Sequence, residues 1–314
     1  MLRLEVNAAS PCRLDRYLKR LYPGLTQGII ERSLRHKKIM VNACKVEASV
    51  RITVGDKIFL DAALHLNPQK ATSKNFSDSA IILAGKLLKD YLIYQDNYLI
   101  AINKPEGIAT QGGSKISLSI DDALQYLNSR GGEFKLVHRL DKDTSGILLI
   151  AKNYSSSIKL VKSFQEKIIQ KTYIAVVLGN LTKNEGQIVG MIGKNRDGVY
   201  ETVQDDPANG KLAITSYRLL EVLGLSSISN LKISLIEFVP LTGRMHQLRF
   251  HAKMLNCPII GDKKYGSLEA IALSKEMLLH AKKVVLPEQI FGKEIIMEAE
   301  LPHYFNNVNK IPKK

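Results

Sequence analysis

The sequence predicts an α+β protein built as two unequal domains. Three observations carry this. Strand-like and helix-like stretches are mixed along the chain, which points to α+β. A polar segment at 63–80, rich in Asn, Ser, Lys and Thr around Pro68, reads as a linker between a basic N-terminal module, 1–62, and a larger domain, 81–314. The length of 314 residues suits two or three domains with a sizeable core, and 45% hydrophobic residues is ordinary for a globular protein.

In the N-terminal module, Leu14, Tyr17, Leu18 and Leu21 fall at i, i+3, i+4 and i+7, one face of a short helix. Pro23-Gly24 ends it. Thr26 caps a second helix reaching about Arg35. Ile29, Ile30 and Leu34 are expected to face inward, while Arg32, Arg35, Lys37 and Lys38 gather at the far end. Ile39-Met40-Val41 reads as a strand, and Val54 to Leu60 as a turn and closing strand. The larger domain opens near Ile81. Tyr91 to Tyr94 and Leu99 to Ile102 are strand-like and flank a turn at Gln95-Asp96-Asn97. Ile120 to Tyr126 and Ser155 to Phe164 read as helices, and Ile147 to Ala151, Tyr173 to Leu178 and Ile233 to Val239 as strands. No internal repeat of fixed period is found.

The formal charge of +15 and a pI near 9.6 favour a polyanionic partner, either nucleic acid or an anionic membrane. The apolar runs are strand-length, so no membrane span is expected. Met1-Leu2-Arg3-Leu4-Glu5 lacks a signal-peptide core, so secretion is not expected. Cys12, Cys44 and Cys257 are far apart, with no C-x-x-C. That fits a reducing cytoplasm and speaks against a disulfide framework or a cysteine zinc site. Residues 1–62 hold 12 Lys+Arg against 6 Asp+Glu, a net of +6 that leaves +9 to the other 252 residues. A local excess in a small module suits phosphate contacts.

The richest segment is His138-Arg139-Leu140-Asp141-Lys142-Asp143-Thr144-Ser145-Gly146, set directly before the apolar run Ile147 to Ala151. Five ionisable side chains in six positions are costly to bury, so they belong at a strand entrance facing a cleft. An acid flanked by Arg139 and Lys142 is expected to be ionised at neutral pH, and a rigidly mounted carboxylate can act as nucleophile or base. By itself the run reads better as a charged surface turn. Three further segments carry chemistry-bearing residues. Asn103-Lys104-Pro105-Glu106-Gly107 follows a strand and leads to Gln111-Gly112-Gly113-Ser114. Lys171-Thr172-Tyr173-Ile174-Ala175 alternates like a strand, and Leu241 to His251 opens a basic helix with two histidines. No H-E-x-x-H, phosphate-binding loop or dinucleotide fingerprint occurs, so no metal and no cofactor are expected.

These segments together resemble the RluA-type pseudouridine synthases. The catalytic pattern H-R-L-D-x-x-T-S-G is filled at every fixed position by His138, Arg139, Leu140, Asp141, Thr144, Ser145 and Gly146. N-K-P-x-G is matched by Asn103, Lys104, Pro105 and Gly107, and K-x-Y-x-A by Lys171, Tyr173 and Ala175. T-G-R-x-H-Q-[IL]-R-x-H is matched from Thr242 to His251, with Pro258, Gly261-Asp262 and Tyr265-Gly266 continuing in register. Met277 to Val285 resembles the closing segment, and the Gly-Gly-Ser after Gln111 looks most like the RluC-like branch. The resemblance implies a catalytic domain with a mixed, largely antiparallel sheet. It makes Asp141 the essential catalytic acid, Arg139 the residue that fills the gap left by a flipped base, Tyr173 the support of the target uridine, and Arg249 the salt-bridge partner of Asp141. Lys104 is assigned a part in shaping the site, and Asp143, which is not a fixed acid of the motif, is left behind the site or on the surface. The reaction implied is isomerisation of uridine to pseudouridine without a cofactor. The substrate implied is 23S ribosomal RNA, free or in a pre-ribosomal particle, acted on in the cytoplasm, and a monomer suffices.

Residues 1–62 resemble an S4 RNA-binding domain through Arg13-Leu14-Asp15, the second helix, Val41-Asn42 and Gly55-Asp56. RNA contacts are expected from Arg13, Arg32, Arg35, Lys37 and Lys38. Where that family has glycine in two turns, this chain has His36-Lys37-Lys38 and Ala43. Two other functions fit parts of the sequence. A non-catalytic RNA-binding or ribosome-assembly factor needs only the basic module. A metal-dependent nuclease would use Asp141 and Asp143 together, against the cations Arg139 and Lys142 and without a third ligand.

Overall fold

The computed structural model describes residues 2–7, 11–22, 24–64, 76–113, 116–195, 202–226 and 229–305. It divides into two compact units, Met1–Asn75 and Phe76–Lys314. Pro23, Ser114 and most of the expected linker, 65–75, lie outside the described residues.

The first unit comprises β1 (Leu2–Glu5), β2 (Cys12–Arg13), α1 (Leu14–Leu21), α2 (Gln27–Arg35), β3 (Ile39–Val41), β4 (Arg51–Ile52) and β5 (Lys57–Leu60). β5 pairs antiparallel with β1 and β3, and β2 with β4. The apolar stripe of α1 buries Leu14, Tyr17 and Leu18 against Ile30, Ile39, Ile52 and Ile58. Each such aliphatic side chain contributes roughly 1.5–3 kcal/mol on burial. Thr26 caps α2 by accepting the Ile29 N–H. Ile29 itself is exposed, against the inward orientation expected from spacing, because Ile30 and Leu34 already fill the buried stripe. Lys37 and Ala43 both adopt left-handed backbone, at φ 56° and 63°. For residues with a side chain this backbone costs about 1–2 kcal/mol each.

The second unit starts with α3 (Asp78–Lys89), capped by Ser77, then β6 (Leu92–Gln95), β7 (Leu99–Lys104), α4 (Ile120–Ser129) and β8 (Lys135–Leu136). It continues through β9 (Ser145–Ala151), α5 (Tyr154–Gln165), β10 (Gln170–Leu178), β11 (Glu185–Asn195), β12 (Thr202–Asp205), β13 (Lys211–Leu225) and β14 (Lys232–Pro240). It ends with α6 (Gln247–Met254), α7 (Leu268–Ala272), β15 (Leu279–Leu286), α8 (Glu288–Phe291) and β16 (Ile295–Glu298). Among the described residues eleven strands form one sheet, ordered β12-β11-β13-β14-β10-β15-β9-β7-β6, with β8 on β9 and β16 on β15. Every pairing is antiparallel except β9 with β15, so the sheet is mixed and largely antiparallel as expected.

The centre of this sheet explains the apolar run after the charged segment. All seven residues of β9 are buried. Ile147 and Leu149 face Leu160, Val284 and Met297, while Leu148 and Ile150 face Leu83, Leu87 and Leu124. A strand covered on both faces reads as continuous rather than alternating hydrophobicity. Its entrance is thereby a rigid mount. Among the described residues no helix is long and apolar enough to cross a membrane.

Candidate active site

The segment 138–146 runs from β8 into β9 and is fastened at five places. His138 Nε2 accepts the Leu149 N–H at 2.7 Å, and its ring stacks on Phe164. Burial, with the charge of Lys171, lowers the His138 pKa to about 3, which keeps the ring a neutral acceptor. Thr110 Oγ1 donates to the Leu140 carbonyl at 2.7 Å and accepts the Leu140 N–H at 3.1 Å. The Lys142 carbonyl accepts from the Gly107 N–H and from Lys104 Nζ, at 3.0 and 3.1 Å. Ser145 Oγ lies 2.9 Å from His280 Nδ1. Gly146, at φ +106°, sits directly against the Ala281 backbone.

Asp141 is thus held on a short tether at the rim of a cavity of about 750 Å³. Arg139, Tyr173, His246 and Arg249 line the same cavity, with Lys171 and Arg244. The size and the few convergent polar groups suit a ligand site. Asp143 is absent from the lining, so the two acids of the segment do not face one space. Arg139 is exposed on the wall. Tyr173 is half-buried, and burial followed by the charge of Asp141 raises its hydroxyl above the ordinary tyrosine value. It therefore stays protonated at neutral pH.

Arg249 Nη1 lies 3.4 Å from Asp141 Oδ2. Its stronger engagement is with Asp262, by Nε to Oδ2 at 2.8 Å and Nη2 to Oδ1 at 2.6 Å. Burial opposes the Arg249 charge, but Asp262 and then Asp141 hold the guanidinium above its ordinary value. Asp262 is fully buried and also accepts the Lys264 and Tyr265 N–H groups. The bidentate pair fixes the guanidinium plane and leaves one edge for Asp141. Gln247 locks the preceding turn. Its Oε1 accepts from Thr242 Oγ1 and the Arg244 N–H, and its Nε2 donates to the Ile214 carbonyl and Thr215 Oγ1.

Lys104 does not line the cavity. It is fully buried, and its Nζ donates to the carbonyls of Pro105, Ile108 and Lys142 at 2.8, 2.9 and 3.1 Å. Burial lowers its pKa to about 7 against the pull of Asp143, Asp141 and Glu106. Three carbonyl acceptors call for three N–H donors, which only the ammonium has. Lys104 therefore ties the N-K-P loop to the Asp141 segment from behind.

The remaining expected contacts lie in the first unit. Arg13 is engaged by Asp15 through Nε and Nη2, at 3.1 and 2.7 Å. Arg32, Arg35, Lys37 and Lys38 are exposed. Thr110, Asp262, His246 and Tyr265 touch the Asp141 environment without a role read from sequence. The last three stand in the quoted motifs, which was the available signal. Thr110 had none.

The cavity thus gathers Asp141, the buried Arg249 beside it and Tyr173 on its wall, at the end of a largely antiparallel sheet. The family profile described as RNA pseudouridylate synthase matches residues 98–254. The chain belongs to that family of enzymes, in its RluA-type, RluC-like branch. It is 53% identical over 305 residues to the "Ribosomal large subunit pseudouridine synthase C" of Rickettsia bellii, covering 97% of this chain and 99% of that one. The protein of the same name from Rickettsia typhi is 54% identical, with 96% and 98% covered. Among solved structures, human RNA pseudouridylate synthase domain containing 4 superposes with a TM-score of 0.59 at 26% identity, covering 74% of this chain and 96% of that one.

Proposed function

We propose that this enzyme isomerises specific uridines of large-subunit (23S) ribosomal RNA to pseudouridine, without a cofactor, with Asp141 as the essential acid. The reaction breaks the N1–C1′ glycosidic bond, turns the base and forms a C5–C1′ bond, with C5 losing its proton and N1 gaining one. A stacked uridine must first leave the helix, at a cost of a few kcal/mol. Arg139, exposed on the cavity wall, stacks its guanidinium into the gap. Asp141 then attacks the ribose or assists elimination, and Arg249 orients the carboxylate. Tyr173 supports the base as a neutral phenol.

The observation that carries this reading is the convergence of Asp141, Arg139, Tyr173 and Arg249 on one cavity, with Arg249 3.4 Å from the acid. The names of the relatives supply the RNA. The first unit is proposed to act as the S4-like RNA-binding domain, with Arg32, Arg35, Lys37 and Lys38 on phosphates and Arg13 held by Asp15. The enzyme is proposed to work as a cytoplasmic monomer. The test is Asp141→Asn with a 23S transcript. RNA binding stays within about twofold and pseudouridine formation stops, because the isosteric amide keeps the shape and loses the charge. Substantial residual turnover refutes the assignment.

A further inference from the structure

His246 is the half-buried, polar neighbour of Asp141 that the proposed reaction leaves without a task. Its backbone is left-handed, at φ 53° and ψ 19°, immediately before α6. Strain of this kind persists where the surroundings impose it, and it gathers at functional sites. The ring spans two groups. Nδ1 is 2.7 Å from Tyr265 Oη, and Nε2 is 3.7 Å from Asp141 Oδ2.

The network fixes where the imidazole proton sits. The Val203 N–H donates to Tyr265 Oη at 2.8 Å, which occupies the phenol as an acceptor. Burial raises the Tyr265 hydroxyl to about 12, so it carries its proton. Among the described residues His246 Nδ1 is the one acceptor within reach of that proton. Nδ1 therefore accepts, and the hydrogen of the neutral ring is on Nε2, aimed at Asp141. Burial, before any other influence, lowers the His246 pKa to about 4, which keeps the ring neutral.

Two donors then address the same carboxylate oxygen. Arg249 Nη1 and His246 Nε2 both approach Asp141 Oδ2, at 3.4 and 3.7 Å. Among the described residues no hydrogen bond reaches Oδ1. Both approaches are longer than a closed hydrogen bond, as catalytic contacts often are before substrate arrives.

We propose that His246, set by Tyr265, is a second positioning residue for Asp141, and that with Arg249 it engages Oδ2 and leaves Oδ1 to meet the substrate. This rests on the reading of Asp141 as the reacting acid. Tyr265 in turn ties the acid to β12 through Val203, so the paired strands β11 and β12 bear on the geometry of the centre.

The experiment uses the full chain with ¹⁵N-labelled histidine and a 23S transcript as probe. In the wild type the ¹⁵N shifts of His246 report a neutral ring protonated at Nε2. In Tyr265→Phe the ring loses its donor, and the signals move toward a tautomer mixture. Turnover falls roughly 10- to 100-fold, the range for losing one hydrogen bond to a charged group, while RNA affinity stays within about twofold. His246→Asn, which tolerates the left-handed backbone, gives the same split between kcat and binding. A wild-type ring protonated at Nδ1, or a Tyr265→Phe enzyme with unchanged kcat, overturns the proposal. Asp141→Asn run alongside separates the two readings. If it remains active, the function assigned to Asp141 has failed. If it is dead while Tyr265→Phe is fully active, the role of His246 alone has failed.

Discussion

Replacing Gly146 by alanine tests whether the Asp141 segment owes its position to the sheet junction behind it. Gly146 lies at φ +106°, paired with Lys104 of β7 on one side and Ala281 of β15 on the other. A Cβ there would stand 2.4 Å from the Ala281 carbonyl oxygen and 2.5 Å from its nitrogen. Neither is a flexible side-chain tip, so the two strands must part. The backbone conformation costs about 1–2 kcal/mol, and forcing the overlap apart adds about 1–3 kcal/mol. The expected loss is thus about 2–5 kcal/mol for the second unit. Gly107→Ala is the control. It shares a positive φ, +81°, but an added Cβ meets nothing within 4 Å, so only the backbone cost applies. The difference between the two variants isolates the overlap. Urea unfolding followed with a probe in the second unit measures it, since a chain of two units need not unfold in one step. Turnover on a 23S transcript gives the catalytic side. Gly146 is five residues from Asp141, and a displacement of about 1 Å can cost a hundredfold in rate. If Gly146→Ala unfolds at the same urea concentration as Gly107→Ala and keeps wild-type kcat, the junction does not position the acid.

Lys104→Met keeps the volume of a fully buried side chain and removes three hydrogen bonds to carbonyls. Unpaired carbonyls offset by relief of a buried charge leave a loss of about 2–4 kcal/mol, with kcat falling more than KM rises. An unchanged urea midpoint contradicts the tether. Burial lowers the pKa of His251 and His280 to about 4, below the ordinary 6.5. The unfolded chain takes up these protons first, so their contribution to stability is full above pH 6.5 and is lost as pH falls from there through 4. The slope is up to about 1.4 kcal/mol per pH unit for each ring. Urea midpoints at pH 7.5 and 5.5 with ring titration by NMR check this, and a His280 ring titrating near 6.5 counts against it. Lys171 is half-buried on the cavity wall, 6.0 Å over the Phe164 ring, with no ion pair among the described residues. Lys171→Met should weaken RNA binding and reduce the slope of log K against log salt by about 0.7–0.9, as one phosphate contact predicts. An unaltered slope means that Lys171 meets no phosphate.

Some of this molecule was legible because chemistry or periodicity fixes residue types locally. The stripe Leu14, Tyr17, Leu18 and the Thr26 cap announce α1 and α2, and the apolar run after Gly146 announces β9. Other elements gave weak signals. α3 begins at Asp78, inside a polar stretch that reads as linker, and it leaves Ile81 and Ile82 exposed. β1 is four residues long with little burial of its own, and it exists because β5 offers it an edge. Ile29 shows the limit of a helical period. The period names a stripe but does not say how wide it is.

Sequence by itself determined the family, the α+β class, the basic character of the chain and which residue types stand in the catalytic motifs. These are properties of short segments, where the reaction restricts what each position can be. Tertiary structure alone decided how those segments meet. Arg249 is shared between Asp262 and Asp141, Lys104 faces backbone carbonyls instead of the cavity, Arg13 is taken by Asp15, and Thr110 holds Leu140 across 30 residues of chain. Each is a pairing over distance, set by the register of strands and the parallel contact of β9 with β15. No local pattern encodes such a pairing, because hydrogen-bond partners are chosen by proximity in space, and proximity is a property of the whole fold.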